Sequence, residues 1–181
     1  MSPIIAENSE NNNMDSNFGA AFDKLDRNIQ QKIVEQLRRR QFHYIEAMRR
    51  GYYGGTKVVI IGDTPGPGRP TTPGYHHTPF YSTKNSSLWV NKLLVENDID
   101  EDELLWFNSV LADGSELNPV HIQDLMRLDP AFIVLGGNAE KWFKKAAPGV
   151  KYVKVYHPQF AKRFKSKEPY ALIDEIKKVL S

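Results

Sequence analysis

Four short stretches of the chain carry the side chains that are best suited to chemistry. They are Gly62-Asp63-Thr64-Pro65-Gly66, Thr78-Pro79-Phe80-Tyr81, the segment that ends in Asn108, and His157-Pro158-Gln159-Phe160. The Asp63 carboxylate and the His157 imidazole can stabilise charge or transfer protons in a reaction. Phe80 offers an aromatic face on which a planar ring stacks, and the Asn108 carboxamide donates and accepts hydrogen bonds at the same time. Taken singly, each is ordinarily a turn, a cap or a core residue, so their value depends on the elements that position them.

The first stretch predicts a stiff, tightly turning loop, because glycine permits unusual backbone dihedrals and proline restricts them. It continues into Pro67-Gly68-Arg69-Pro70. The loop lacks the Gly-Lys-Ser/Thr ending of a Walker A motif and the Gly-x-Gly-x-x-Gly spacing of a dinucleotide site. The sequence therefore does not favour a binding site for a nucleoside triphosphate or for NAD in this loop.

The elements around these stretches alternate between short apolar strands and helical patterns after Gly54-Gly55. The predicted strands are Val58–Ile61, Leu104–Asn108, Phe132–Leu135 and Val150–Val155, and the predicted helices are Ser86–Glu96, Pro119–Arg127, Asn138–Lys145 and Pro169–Leu180. This alternation predicts an α/β fold, a three-layer α/β/α sandwich with a central, mostly parallel four-stranded sheet. Ligands of such sheets bind beyond the carboxyl ends of the strands. Polar motifs follow all four strand ends, at Asp63, Asn108, Gly136-Gly137 and His157, so we expect them to converge.

The N-terminal part of the chain has a different character. Residues 1–17 are polar and aperiodic, which predicts an unstructured tail without an assigned function. Apolar residues recur at helical spacing over 18–50, which predicts a helical segment, either continuous or broken in two, that ends at Gly51. Its Arg38-Arg39-Arg40 run is interpreted as a solvated helix face in preference to a nucleic-acid contact. We expect residues 18–181 to form one domain.

Charge is unevenly distributed along the chain. The formal net charge is only +2, but residues 141–181 contain eleven Lys or Arg against three Asp or Glu, whereas residues 51–140 contain five against twelve. The basic segment surrounds His157 and would attract phosphates. The alternative is a set of Lys-rich helices that keep the surface solvated. Charge alone does not decide between a nucleic-acid partner and a solvated surface.

Composition also excludes several classes of protein. The chain has no cysteine, which rules out disulfides, thiolate zinc sites, cysteine nucleophiles and iron–sulfur clusters held by thiolates. Its apolar runs are too short to cross a bilayer, and no basic and then hydrophobic segment follows Met1. We therefore expect a soluble intracellular protein, cytoplasmic or nucleoid-associated, with no membrane partner.

In order and spacing, the four stretches resemble the base-binding and catalytic motifs of the uracil-DNA glycosylase superfamily. In the branch with an iron–sulfur cluster the first motif has the sequence Gly-Glu-Ala-Pro-Gly. The stretch from Gly62 to Gly66 resembles that version, with Asp in place of Glu and Thr in place of Ala. The resemblance spans roughly residues 57–165. It implies a DNA glycosylase that flips a base out of the stack and hydrolyses its glycosidic bond.

The resemblance also implies a role for each motif residue. Asp63 would orient water and stabilise the sugar cation, and His157 would stabilise the departing base. Asn108 would hydrogen bond to the edge of uracil, and Phe80 would stack on the base, with Tyr81 as the residue that could exchange roles with it. Gly62 and Thr64 would complete the base pocket. The wedge and DNA contacts would follow His157, at Gln159, Phe160, Lys162, Arg163 and Lys165.

The sequence departs from the superfamily at three points. The absent cysteines imply that the cluster is lost, and Gly66 stands where other branches use a Tyr to exclude the thymine methyl group, so a base altered at its 5-position would fit. Gln159-Phe160 replaces the more frequent Ser-Pro.

The two adjacent histidines His76-His77 predict no metal site, because consecutive residues seldom point at one ion. The alternative is that the two side chains face the DNA or the base pocket.

The resulting expectation is a monomeric glycosylase, free of metal and cofactor, that acts on uracil or a modified pyrimidine in single- or double-stranded DNA. Two alternatives stay open. One is a non-catalytic binder of modified DNA, a nucleotide or a protein that uses the same fold and pocket. The other is a nucleosidase-like enzyme that acts on free nucleotides.

Overall fold

The computed structural model describes residues 21–63, 78–83, 85–158 and 170–181. The predicted tail over 1–17 lies outside these residues. In chain order the elements are α1 (Arg27–Arg50), β1 (Val58–Gly62), α2 (Asn85–Glu96), a 3-10 turn (Glu101–Glu103), β2 (Leu104–Asn108), α3 (Val120–Leu125), a second 3-10 turn (Met126–Leu128), β3 (Ala131–Leu135), α4 (Gly137–Ala146), β4 (Val153–Val155) and α5 (Ala171–Leu180).

The four strands form one sheet in the order β2-β1-β3-β4, and every neighbouring pair is parallel. Gly62 at the end of β1 pairs with Asn108 at the end of β2, and Leu135 at the end of β3 pairs with Val155 at the end of β4. The register therefore brings the carboxyl ends of all four strands to one edge, where a ligand site is expected in a parallel sheet.

Helices cover both faces of the sheet. Alternate side chains along a strand point to opposite faces, and the face that carries Val59, Ile61 and Phe107 packs against α1, α3 and α4. The opposite face, with Ile60 and Trp106, packs against α2 and α5. The predicted three-layer α/β/α sandwich with a four-stranded sheet is confirmed, and its described strands are all parallel.

The described part of the N-terminal segment is broken near its start: helical residues 21–23 are followed by a turn over 24–26, and helix α1 then runs from Arg27 to Arg50. The Asp26 carboxylate caps its start by accepting a hydrogen bond from the Asn28 amide at 2.7 Å. Gly51 ends it in the left-handed conformation with φ of 63°, and its amide donates to the Ala47 carbonyl. The helix contacts both β2 and α2, so it closes the side of the fold where β2 is the edge strand.

Several predicted element boundaries differ from the observed ones by one to three residues, and two of the differences have local reasons. Strand β4 begins at Val153 instead of Val150, because the Val150 amide bonds to the Ala147 carbonyl in the turn that follows α4. Helix α3 is α-helical only to Leu125 and tightens into the 3-10 turn Met126–Leu128, which is followed by Asp129 in the left-handed conformation with φ of 52°. Among the described residues, no helix is both long enough and apolar enough to span a membrane.

Candidate active site

The backbone at the end of β1 is tied to the end of β2. The Ser109 amide donates to the Gly62 carbonyl at 2.9 Å, and the Val110 amide donates to the Asp63 carbonyl at 3.0 Å. The Ser109 hydroxyl also donates to the Asp63 carbonyl, at 2.9 Å. These bonds extend the pairing of the two strands by one residue, so Asp63 and Asn108 are held beside each other at the edge of the sheet.

Gly62 leaves no room for a side chain. A Cβ built on it would lie 2.8 Å from Asn108 Oδ1 and 3.0 Å from Pro79 Cγ. The missing side chain therefore lets the Asn108 carboxamide and the loop at Pro79 approach the strand end closely. Asn108 is 2% exposed, so its carboxamide lies inside the protein, where a hydrogen-bonding group needs a defined partner.

Phe80 lies beside His157, whereas Tyr81 does not. The Phe80 ring is edge-on to the Trp106 ring at 6.0 Å and to the His157 ring at 6.2 Å between centroids. Tyr81 is buried against Ile33 and other side chains of α1, and its hydroxyl donates to the Gln41 carboxamide. Of the two aromatic residues considered for stacking, the fold brings only Phe80 to the strand ends.

His157 follows β4 and is half-buried. Burial lowers the pKa of its imidazole below the ordinary value, and the negative charge of Asp63 opposes that shift. Burial has the larger effect, so the ring is neutral at pH 7. A neutral imidazole carries one N–H, which it can donate in a hydrogen bond to a developing negative charge.

Asn138 joins the site although its sequence position predicted only the start of a helix. Its Nδ2 donates to Asp63 Oδ2 at 3.0 Å, across 75 residues of sequence. The residue lies in the first turn of α4, which begins directly after Gly136, whose φ of 89° allows the sharp passage from β3 into the helix. The only sequence signal was the strand-end pair Gly136-Gly137, which marked the turn but not the side chain.

Below the site lies a buried ion pair that contradicts the solvated-face interpretation of the Arg38-Arg39-Arg40 run for Arg40, whereas Arg38 and Arg39 are exposed as that interpretation predicted. Arg40 is 1% exposed, and its guanidinium contacts both carboxylate oxygens of Glu101 at 3.2 Å. The signal that could have revealed it is its spacing, since Arg40 continues the buried stripe of α1: Ile33, Leu37, Arg40, Tyr44 and Ala47. Arg40 is buried despite its charge because the fold places the buried Glu101 carboxylate beside it as a partner.

Several predicted site residues fall outside the described part of the chain. They are Thr64, Gln159, Phe160, Lys162, Arg163 and Lys165, together with Gly66 and the histidines His76 and His77. Three lysines of the basic C-terminal quarter are described on α4 and are exposed, namely Lys141, Lys144 and Lys145. Helix α4 begins at the candidate site, so this basic face leads away from it.

The described site therefore combines a carboxylate, a neutral imidazole, an aromatic ring and a carboxamide from four separate stretches of the chain. Asp63 can stabilise a positive charge and His157 a negative charge. Phe80 and Asn108 can bind a planar, hydrogen-bonding ring. No protein-family model matches this sequence, and no curated protein is significantly similar to it. A function for the chain has to come from this arrangement of side chains.

Proposed function

We propose that the protein is a DNA glycosylase that hydrolyses the N-glycosidic bond of a flipped-out uracil or modified pyrimidine. The observation that carries the proposal is the meeting of Asp63, Phe80, Asn108 and His157 at one edge of the sheet. These side chains match, one by one, the needs of base removal, which are a cation stabiliser, a stacking platform, a base-edge partner and a donor to the leaving base.

In the proposed reaction, the glycosidic bond breaks with its electron pair moving to the base, and positive charge develops on the sugar. The Asp63 carboxylate stabilises that charge and orients the water that adds to the sugar carbon and passes its proton to the carboxylate. The hydrogen bond from Asn138 to Asp63 Oδ2 supports this role, because it restricts the rotation of the carboxylate.

The departing base carries negative charge, and the neutral His157 imidazole is suited to donate its N–H to the base oxygen. Removal of one such donor from an active site costs about 3–4 kcal/mol of transition-state stabilisation. The Asn108 carboxamide would donate to O4 and accept from N3–H of uracil. Stacking on Phe80 would add about 1–3 kcal/mol of binding free energy.

The direct test incubates the protein with oligonucleotides, single- and double-stranded, that carry uracil or 5-substituted pyrimidines, and then cleaves abasic sites with alkali. We expect cleavage at the modified position. Asp63→Asn and His157→Ala should each lower the single-turnover rate at least about 100-fold while oligonucleotide affinity changes little. Asp174→Asn and His43→Ala, on α5 and α1, are matched controls that should retain the rate.

Other outcomes of this assay point to the two alternative functions. Folded protein that binds the modified oligonucleotides but cleaves none of them contradicts the glycosylase proposal and leaves a non-catalytic binder. Release of base from free nucleotides, with no inhibition by duplex DNA, contradicts it in favour of a nucleosidase-like enzyme. A steep dependence of affinity on salt is expected only when the protein contacts a phosphate backbone.

A further inference from the structure

We infer that Arg40 and Asn91 are positioning residues that hold the Phe80 backbone in the conformation required for base stacking. Both side chains are buried, and both donate hydrogen bonds to carbonyl groups of the segment Pro79–Ser82. Because the inference assigns a role to Phe80 in binding a base, it rests on the proposed function. Its structural part, the control of the Phe80 ring by two buried donors, is testable without any catalytic activity.

Arg40 is held from three sides. Its Nε and Nη2 contact the Glu101 carboxylate, and the guanidinium lies 4.2 Å from the Trp106 ring centroid, while Trp106 Nε1 donates to the same carboxylate. The remaining nitrogen, Nη1, donates to the Pro79 carbonyl at 3.1 Å and lies 3.4 Å from the Phe80 carbonyl. A planar guanidinium fixed by a bidentate pair has its other donors aimed in one direction, which here is the Phe80 segment.

Asn91 reaches the same segment from α2. Its Nδ2 donates to the Phe80 carbonyl at 2.8 Å and to the Ser82 carbonyl at 3.0 Å, and the residue is 0% exposed. The Phe80 carbonyl thus has donors from two helices that belong to different parts of the chain. An ion pair that only stabilised the packing of α1 would not explain why a second buried side chain bonds to this carbonyl.

The backbone of Phe80 explains why such donors are needed. Its φ is 59°, in the left-handed region that is unfavourable for a residue with a bulky side chain. Such a conformation persists only where its surroundings impose it. In this conformation the ring is edge-on to both Trp106 and His157, at the place where a flipped base would lie.

The test uses Asn91→Ala, which removes the donor without leaving a buried charge unpaired. Asn97→Ala is its matched control, because Asn97 Nδ2 makes a similar 2.8 Å bond to the Leu93 carbonyl, away from Phe80. Arg40→Lys is a second variant, which keeps the charge opposite Glu101 but loses the planar fork. Binding is measured in the Asp63→Asn background, which prevents cleavage, for a duplex that contains uracil and for the same duplex with an abasic site. The Hε1 resonance of His157 is recorded by NMR in protein that retains Asp63.

We expect Asn91→Ala and Arg40→Lys to weaken binding of the uracil duplex by about tenfold, the size of one lost stacking contact, while the abasic duplex binds as before. In Phe80→Ala protein, Asn91→Ala should have no further effect. The His157 resonance should shift in both variants and stay in place in Asn97→Ala, because the Phe80 ring current acts on that imidazole. If Arg40→Lys does not fold, Asn91→Ala alone carries the test.

Two results separate this inference from the proposed function. An unchanged His157 resonance and unchanged uracil discrimination in Asn91→Ala overturn the positioning role, whatever the enzyme activity. A shifted resonance in a protein that cleaves no oligonucleotide supports the control of the Phe80 ring and contradicts the glycosylase function alone.

Discussion

Burial and the charge of Asp63 act in opposite directions on the imidazole of His157, and burial prevails. The pKa of the folded state therefore lies below the ordinary value of about 6.5. As the pH falls through about 6.5, the unfolded chain takes up a proton before the folded protein does, so stability decreases until the folded pKa is passed. Above about pH 6.5 the imidazole is neutral in both the folded and the unfolded state, and the titration of His157 causes no loss of stability.

The first prediction concerns this balance. Asp63→Asn removes the charge that raises the His157 pKa, so the pKa should fall further below its ordinary value. NMR titration of the His157 Hε1 resonance measures the shift. Asp174→Asn, which changes a carboxylate on α5, should leave the titration unaltered. A His157 pKa that rises or stays constant in Asp63→Asn would show that the two groups do not interact.

The second prediction concerns Gly62. Gly62→Ala places a Cβ within 2.8 Å of Asn108 Oδ1 and 3.0 Å of Pro79 Cγ, so the carboxamide or the loop has to move. We expect a loss of about 1–3 kcal/mol in the free energy of unfolding, measured in urea, and a loss of uracil binding. Gly137→Ala is the control near the site, since a Cβ there has nothing within 4 Å. Equal effects of the two substitutions would disprove the steric argument.

Among the elements, α1 combines a local rule with a tertiary one. Its cap at Asp26 and its left-handed end at Gly51 follow from local backbone chemistry, and the predicted end at Gly51 is confirmed. Its buried stripe, however, contains Arg40, whose guanidinium donates a hydrogen bond to the Pro79 carbonyl in the segment that carries Phe80. A helix at the side of the sheet thus reaches the site through one buried guanidinium.

Helix α4 is the second element that contributes to the site through its position. Its first turn places Asn138 against Asp63, and its outer face carries Lys141, Lys144 and Lys145. Because the helix starts at the carboxyl edge of β3, one end is at the proposed chemistry and the exposed lysines lie within two to three turns of it.

At the scale of the whole molecule, the charge distribution leads to the third prediction. Replacing Lys141, Lys144 and Lys145 by Ser should weaken duplex binding and lower the salt slope by about 0.9 for each lost phosphate contact. The control replaces the two lysines Lys177 and Lys178, which are exposed on α5 at the opposite face of the sheet, and the change in slope is compared per lysine replaced. Fluorescence anisotropy with Asp63→Asn protein at several salt concentrations measures both slopes without cleavage. Equal changes in salt slope per lysine in the two sets would contradict a DNA contact made by α4.

Much of the architecture was predictable because its causes are local. Strand β2 was predicted at its observed bounds, Leu104–Asn108, since a run of apolar residues between polar ones is a property of neighbours in sequence. The expected convergence of strand ends is also observed for Asp63, Asn108 and His157. The predicted start of β4 was wrong because a turn bond, which periodicity does not reveal, takes up Val150.

Side-chain partners were decided at longer range. The choice of Phe80 over Tyr81 beside His157, the pairing of Arg40 with Glu101 and the bond from Asn138 to Asp63 all join residues far apart in the chain. Periodicity and turn chemistry report on a few consecutive residues, so they specify helices, strands and the parallel arrangement. Burial and contact depend on how those elements pack, and only the packed protein placed Arg40 beneath Phe80 and Asn138 beside Asp63.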